Sequence, residues 1–595
     1  MPVIRDLPLA ASLTLVGLAL FFGGGGDDGS LWWLGAGAAI AIVVLGAVRG
    51  VPRGWLSLAP LAGLVVWLAA SISWSWLPAR SWNYADRGLV YLLFATLGLW
   101  LTGRTRGLAL GLSALLGAVA VWALLGKVVP PVYDYGAPGV ARLRGPVGLW
   151  NQLALLGDFA LPLALWRKRR SGTLLAFVWL VALVLTYSRG GLATAALVVT
   201  AYLLFSDDRW ESAATLLAAA VPAALVVGVA FALPGVTSDG QSDATRWRDG
   251  LIFGAVLLAG AGAAAALAGA PRPRNTPALR RALVAAGVLA LAAIAVVGVL
   301  KAGSFGSGTS VGNGGARFGS GASNFRTVWW HQAWRGWQGD KLTGTGGGTF
   351  HLTNLRFRSS YLDETTEPHS LPLQFLSETG VIGLALLVAA CAFLLRGSLR
   401  RHGPELALAL VLPAYLVHSL IDIDWDFAAA SVPAFLVAGA LVGREPFRRV
   451  PFFATLAAAG VAALVIGVLV LPWLGDRWST DALGASPARA VTLAQRAESV
   501  DPLLVEPLWA KALAAEQRSR VQLAFDYYTQ AVRRQPKNPQ TWLLTGRFAF
   551  AQGCYQTAYT YLEKYTELDN KARPSAGADE YNAALRKVNA GKGRC

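Results

Sequence analysis

A bilayer core about 30 Å thick is crossed by roughly 20 apolar residues in helical conformation, and this chain is built from one such run after another. The runs start at 8–22 and continue to 282–300, then resume at 379–396 and end at 451–472, about fifteen in all on that window. Backbone polar groups in hydrocarbon must be satisfied internally, so only helices and closed barrels span membranes. Runs of this length predict an all-α, polytopic transmembrane bundle. Only 14% of the 595 residues are charged, against about 25% in an average soluble domain. The N-terminus, MPVIRDLPLAASLTLVGLALFF, has no small-residue cleavage site before GGGGDDGS and reads as a retained first helix.

A formal net charge of +18 would point to nucleic acid in a soluble protein. Here the basic residues fall in short connections such as RGVPRG, GRTRG, RKRRSG, RGSLRRHG and GREPFRR, which mark the cytoplasmic side of a membrane protein. A nucleic-acid partner is therefore set aside. Alternation from a cytoplasmic N-terminus sends the Trp- and Tyr-rich connections, the long polar stretch and everything after Pro472 to the outer face. The expected organisation is N-terminal transmembrane helices over 1–300, a large extracytoplasmic catalytic loop over 301–378, C-terminal transmembrane helices over 379–472, and a soluble helical domain over 475–595.

In that last domain Trp509 aligns with Trp542, Ala524 with Ala558, Tyr528 with Leu562 and Ala531 with Tyr565, close to the tetratricopeptide period of about 34 residues. Helical arrays of this kind present a concave surface to a protein partner; a cap over the outer face is the competing reading. Three cysteines are too few and too scattered for a zinc or iron-sulfur site. Cys391 lies in an apolar run, while Cys554 and Cys595 are placed to form a disulfide if the tail is outside the cytoplasm.

The polar stretch from Lys301 to Glu378 holds three of the five histidines. It opens on a Gly/Ser tract, passes through NFRTVWWHQAWRGWQGDKLTGTGGGTF, and closes with EPHSLPLQFLSETGVIGL. Arg326, Trp330, Trp334 and Trp337 recur at helical spacing and predict an interfacial amphipathic helix. Arg326 and Arg335 then suit a lipid-borne phosphate, because guanidinium grips phosphate oxygens bidentately and keeps its charge. Arg189, in TYSRGGL at the outer boundary, is a costly place for a cation and suits an anion. Snorkelling to headgroups is the alternative for all three arginines.

Imidazole is the side chain best suited to take a proton from a sugar hydroxyl at neutral pH, which makes His369, with Glu367 and Glu378 near it in sequence, the candidate general base. His418 and Asp422, four residues apart in HSLIDIDWDF, are placed to assist on one helix face. LRGPVGLWNQLALL adds Arg142, Arg144 and Asn151 at the outer mouth, as diphosphate contacts or as a helix start. No pair among His331, His351, His369 and His418 has the short spacing of a preformed metal site, so neither metal nor cofactor is expected. The GTGGGT run lacks the ending of a P-loop and reads as a turn allowing close backbone approach.

Taken in order, LRGPVGLWNQLALL, TYSRGGL, FRTVWWHQAWRGW, LTGTGGGTF, EPHSLPLQFLSETGVIGL and HSLIDIDWDF resemble the O-antigen ligase family over roughly 145–427. The resemblance implies a metal-independent, inverting transferase of the bacterial cytoplasmic membrane. Such an enzyme moves a glycan from undecaprenyl diphosphate to an acceptor hydroxyl on the outer face. It further implies that His369 is the general base and that Arg189 and Arg326 hold the donor diphosphate. The lipopolysaccharide ligases lack a helical-repeat tail, which leaves the acceptor open among lipid, wall polymer and protein. Related members polymerise repeat units or glycosylate proteins. A membrane scaffold or glycan exporter is the non-enzymatic alternative, and it would tolerate loss of His369.

Overall fold

The computed structural model describes residues 2–23, 28–132, 141–269, 281, 324–569, 571 and 579–591. The apolar run expected at 282–300, the Gly/Ser tract and Cys595 lie outside them. Among the described residues six helices are long and apolar enough to cross a membrane: 28–49, 105–128, 209–231, 243–269, 371–398 and 452–483. Five shorter apolar helices accompany them. The chain is a multi-pass helical membrane protein, and it divides into two units.

The first unit comprises Met1–Pro60, Val90–Phe325 and Ala389–Gly460. Two of its helices, Trp150–Arg167 and Ala428–Val442, are buried nearly all round, as expected of central elements without a polar face. Small residues let their neighbours come close. A Cβ on Gly439 would stand 1.9 Å from the Ala95 carbonyl oxygen, and one on Gly98 would stand 2.2 Å from that of Leu436, the small-residue contact of membrane helix pairs.

The basic connections of this unit gather at one end. Val51–Arg53 pairs antiparallel with Arg444–Arg448. Lys168 meets Asp208 at 2.6 Å and Glu211 at 3.2 Å, His402 meets Asp207 at 3.0 Å, and Thr105 donates to Glu405 at 3.1 Å. The helix Trp150–Arg167 starts from the other end, about 27 Å away at 1.5 Å per residue.

The second unit comprises Leu61–Leu89, Arg326–Val388 and Val461–Cys595. Its centre is the GTGGGT turn, threaded between the 61–89 segment and the helix Leu371–Leu395. Trp74 Nε1 donates to the Thr343 carbonyl at 3.3 Å and Ser81 Oγ to that of Gly347 at 2.7 Å. From the other side the Gly346 N–H donates to the Glu378 carbonyl at 2.8 Å. Gly346 has φ 103, and a Cβ there would lie 2.3 Å from Ser75 Oγ. The glycines are needed for this approach.

The helix Leu371–Leu395 is broken at Gly380, where φ is 66 and ψ −171. A Cβ at Gly380 would stand 2.1 Å from the Leu342 carbonyl oxygen. Gly380→Ala combines this clash with a positive-φ, extended-ψ backbone that is essentially confined to glycine, a strain of about 1–3 kcal/mol before any rearrangement. It is expected to lower the thermal midpoint of the detergent-solubilised protein by several degrees, as read by differential scanning fluorimetry.

Beyond the last apolar helix the tail runs through Pro487–Val500, Glu506–Glu516, Val521–Arg534, Pro539–Ala551, Tyr555–Leu568 and Asp579–Asn589, each packed on the next. Ala524, Tyr528 and Ala531 of one helix and Ala558, Leu562 and Tyr565 of a later one are all buried. A Cβ on Gly546 would lie 2.7 Å from Leu562 Cγ, so glycine sets the spacing of that helix pair. Cys554 is disulfide-bonded and Cys391 is a free thiol.

Candidate active site

His369 occupies the turn between Tyr361–Asp363 and the helix beginning at Leu371. Its φ is 52, a left-handed conformation that a residue with a Cβ adopts only when its surroundings hold it there. The helix Arg326–Gly339 provides the holding contacts. The ring of Trp329 stacks on the imidazole at a centroid distance of 5.0 Å and an angle of 21°. Trp330 Nε1 donates to the His369 carbonyl at 3.3 Å, and Trp329 Nε1 donates to that of Asp363 at 2.8 Å. The imidazole is half-buried.

Arg326 is the first residue of the same helix, one turn before Trp329 and Trp330, so helical periodicity puts the guanidinium on the side that carries His369. The buried side of this helix is Gln332, Ala333 and Gly336. The expected aromatic stripe is therefore divided: Trp329 and Trp330 turn to the histidine segment, while Trp334 is exposed and packs on Trp337. Arg335 is exposed, its guanidinium carbon 4.6 Å from the Phe357 ring centroid.

Glu378 is buried, and its carboxylate accepts the Gly348 N–H at 2.9 Å and the Phe350 N–H at 3.0 Å. It fixes the glycine turn and the start of the helix Phe350–Phe357.

The remaining expected residues belong to the first unit, at the end away from the basic connections. Arg189 opens the helix Arg189–Phe205 behind a Ser188 cap whose Oγ accepts the Gly191 N–H at 3.1 Å. Arg142 is buried; its Nε donates to the Thr186 carbonyl at 2.8 Å and its Nη2 to that of Tyr187 at 3.3 Å. It thereby braces the turn that delivers Arg189. Arg144 is half-buried and its carbonyl accepts the Gly148 N–H at 2.9 Å. Asn151 Nδ2 donates to Asp422 at 2.5 Å.

His418 makes a different contact from the one its spacing predicts. Its helix ends at Ser419, the chain turns, and Nδ1 meets the Asp424 carboxylate at 2.9 Å instead of Asp422. Gln152 at 2.7 Å and Ser419 at 2.8 Å complete the ring around Asp424. Nε2 of His418 is buried without a hydrogen-bond partner, as are both carboxylate oxygens of Asp158. A Cβ on Gly190, next to Arg189, would be 3.9 Å from that Nε2. Sequence reasoning missed Gln152, Asp158 and Asp424; the lone acid in LLGDFALPLAL was the available signal, since an ionisable group in an apolar run is costly. Among the described residues no cluster of His, Cys, Asp and Glu is arranged to hold a metal.

Residues 253–388 match the family model described as O-Antigen ligase. This stretch is an O-antigen ligase domain. Arg326, Arg335, His369 and Glu378 lie inside it, and Arg189, Arg142 and His418 outside it. A comparison with curated proteins finds no match. The O-antigen ligase domain supports a role in glycosyl transfer between a lipid-linked glycan and an acceptor.

Proposed function

We propose that the protein transfers a glycan from undecaprenyl diphosphate to an acceptor hydroxyl at the outer face of the bacterial cytoplasmic membrane, with inversion. The observation that carries this reading is the seat of His369 inside the O-antigen ligase domain: a strained backbone, a ring held flat on Trp329, and Arg326 one helical turn away. His369 accepts the proton of the acceptor hydroxyl as its oxygen attacks the anomeric carbon. The bond from that carbon to the diphosphate oxygen breaks, and undecaprenyl diphosphate leaves. Arg326 and Arg189 bind the diphosphate and stabilise the negative charge that grows on it. Arg142 positions Arg189, and Glu378 positions the glycine turn. The tail, read as tetratricopeptide-like, serves acceptor or partner recruitment.

Membranes containing the protein are incubated with an undecaprenyl-diphosphate oligosaccharide and extracted acceptors, with and without EDTA. The expected result is chelation-insensitive appearance of glycan on the acceptor with the anomeric configuration inverted. Growth of the glycan on its own lipid would identify a polymerase instead. An unaltered donor would remove the transferase reading.

A further inference from the structure

The second unit contains a cavity of about 770 Å³ that the glycosyl-transfer chemistry described above leaves unused, a size within the usual range for small-ligand sites of about 300–1,000 Å³. Three parts of the unit build it: Arg80 and Asn83 of the 61–89 segment, the stretch from His351 to Glu364, and the tail from Pro472 to Asp569. Arg80 also pairs with Glu367 at 3.6 Å, two residues from His369. The cavity wall and the proposed base thus belong to one continuous stretch.

The charge of the lining restricts what it accepts. Five carboxylates face two guanidiniums, and Arg358 is already consumed. Its Nη2 meets Asp569 at 2.6 and 2.8 Å and its Nη1 meets Glu364 at 2.7 Å. Burial pushes His351 below the usual imidazole range, which favours its neutral form. The tail side of the lining carries Asp501 and Glu506. Asp501 is 1% exposed and its Oδ2 has no hydrogen-bond partner, an unusual state for a buried carboxylate oxygen. Burial holds its carboxyl up at about 6 and raises that of Glu506 as well. The exposed amide of Gln540 and the half-buried amide of Asn83 add donors and acceptors beside them. Such a lining repels a diphosphate. It suits a ligand that is rich in hydroxyls and carries an ammonium group.

We infer that this cavity binds the acceptor, and that the acceptor is a carbohydrate bearing a free amino group. The inference rests on the transferase reading for the word acceptor, and on the cavity alone for the ligand chemistry. Asp501 and Glu506 receive the ammonium, while the amides receive hydroxyls. The tail is then part of the substrate site as well as a docking module.

The probe is a glucosamine trimer, with the N-acetylated trimer and trilysine for comparison, titrated into the full-length protein in detergent by calorimetry. The glucosamine trimer is expected to bind, and N-acetylation to weaken it about tenfold or more, the loss of one charged contact. Asp501→Asn and Glu506→Gln should each weaken the trimer to a similar degree. Asp501→Asn should at the same time raise the thermal midpoint at pH 7, because burial costs the charged carboxylate more than the Leu503 N–H and Arg534 return and so holds its folded pKa above the unfolded one. A merely structural Asp501 would lose both together. No binding of the trimer, equal binding of wild type and both variants, or tight binding of trilysine alone would overturn the inference. Binding is read without turnover, so its failure leaves the transferase reading to the transfer assay, and failure of that assay leaves the ligand site standing.

Discussion

Membranes carrying His369→Ala are expected to transfer glycan about 10²–10⁴-fold more slowly than wild type at matched protein level, the usual contribution of a positioned general base. The imidazole leans on Trp329 and the backbone is held at φ 52 by contacts to the carbonyl and to the neighbouring turn. Those backbone contacts do not need the ring, so the substitution is expected to remove the base while leaving the segment in place. The donor glycan should accumulate on its lipid, and the thermal midpoint should fall by no more than a few degrees. His369→Gln should be as slow as alanine, because an amide keeps hydrogen bonding and cannot take a proton. The measurement is the initial rate of product formation at matched protein level. Wild-type rates in both variants would remove His369 as the base.

Legibility in this chain follows from contrast. A histidine and an arginine stand out where a polar stretch interrupts apolar runs, and His369 and Arg326 are candidates for that reason. The membrane helices are legible because a run of about 20 apolar residues matches the bilayer and little else. The pairs that lock the structure are less visible. Gln152 meets Asp424 across 272 positions, and Arg358 meets Asp569 across 211. Neither partner carries a local pattern, and in both pairs the charge is stabilised by a neighbour that folding alone supplies. His418 shows the complementary failure. Its spacing to Asp422 is that of one helix face, but the helix ends one residue after His418, so the two do not share a face. Glu378 is legible as an acid near the proposed base, and its carboxylate is instead spent on two backbone N–H groups of the glycine turn.

Arg326→Ala is expected to reduce transfer about 10²–10³-fold, the size of effect seen when one preorganised donor to a developing negative charge is removed. The diphosphate leaves carrying charge that was shared with the anomeric carbon, so a fixed cation is worth more in the transition state than in the bound donor. The fall should therefore appear mainly in kcat, with a smaller change in KM for the lipid-linked donor. Arg326→Lys separates charge from geometry. A lysine keeps the positive charge and loses the planar pair of donors, and it is expected to recover only part of the lost rate. Arg326 is the first residue of its helix, and changing its side chain leaves the backbone that carries Trp329 intact. Neither variant should disturb the Trp329 stack on His369, and tryptophan fluorescence should stay as in wild type. A KM increase with kcat unchanged would mean that Arg326 binds the lipid headgroup equally in both states. The leaving-group role would then fall to Arg189 at the start of Arg189–Phe205.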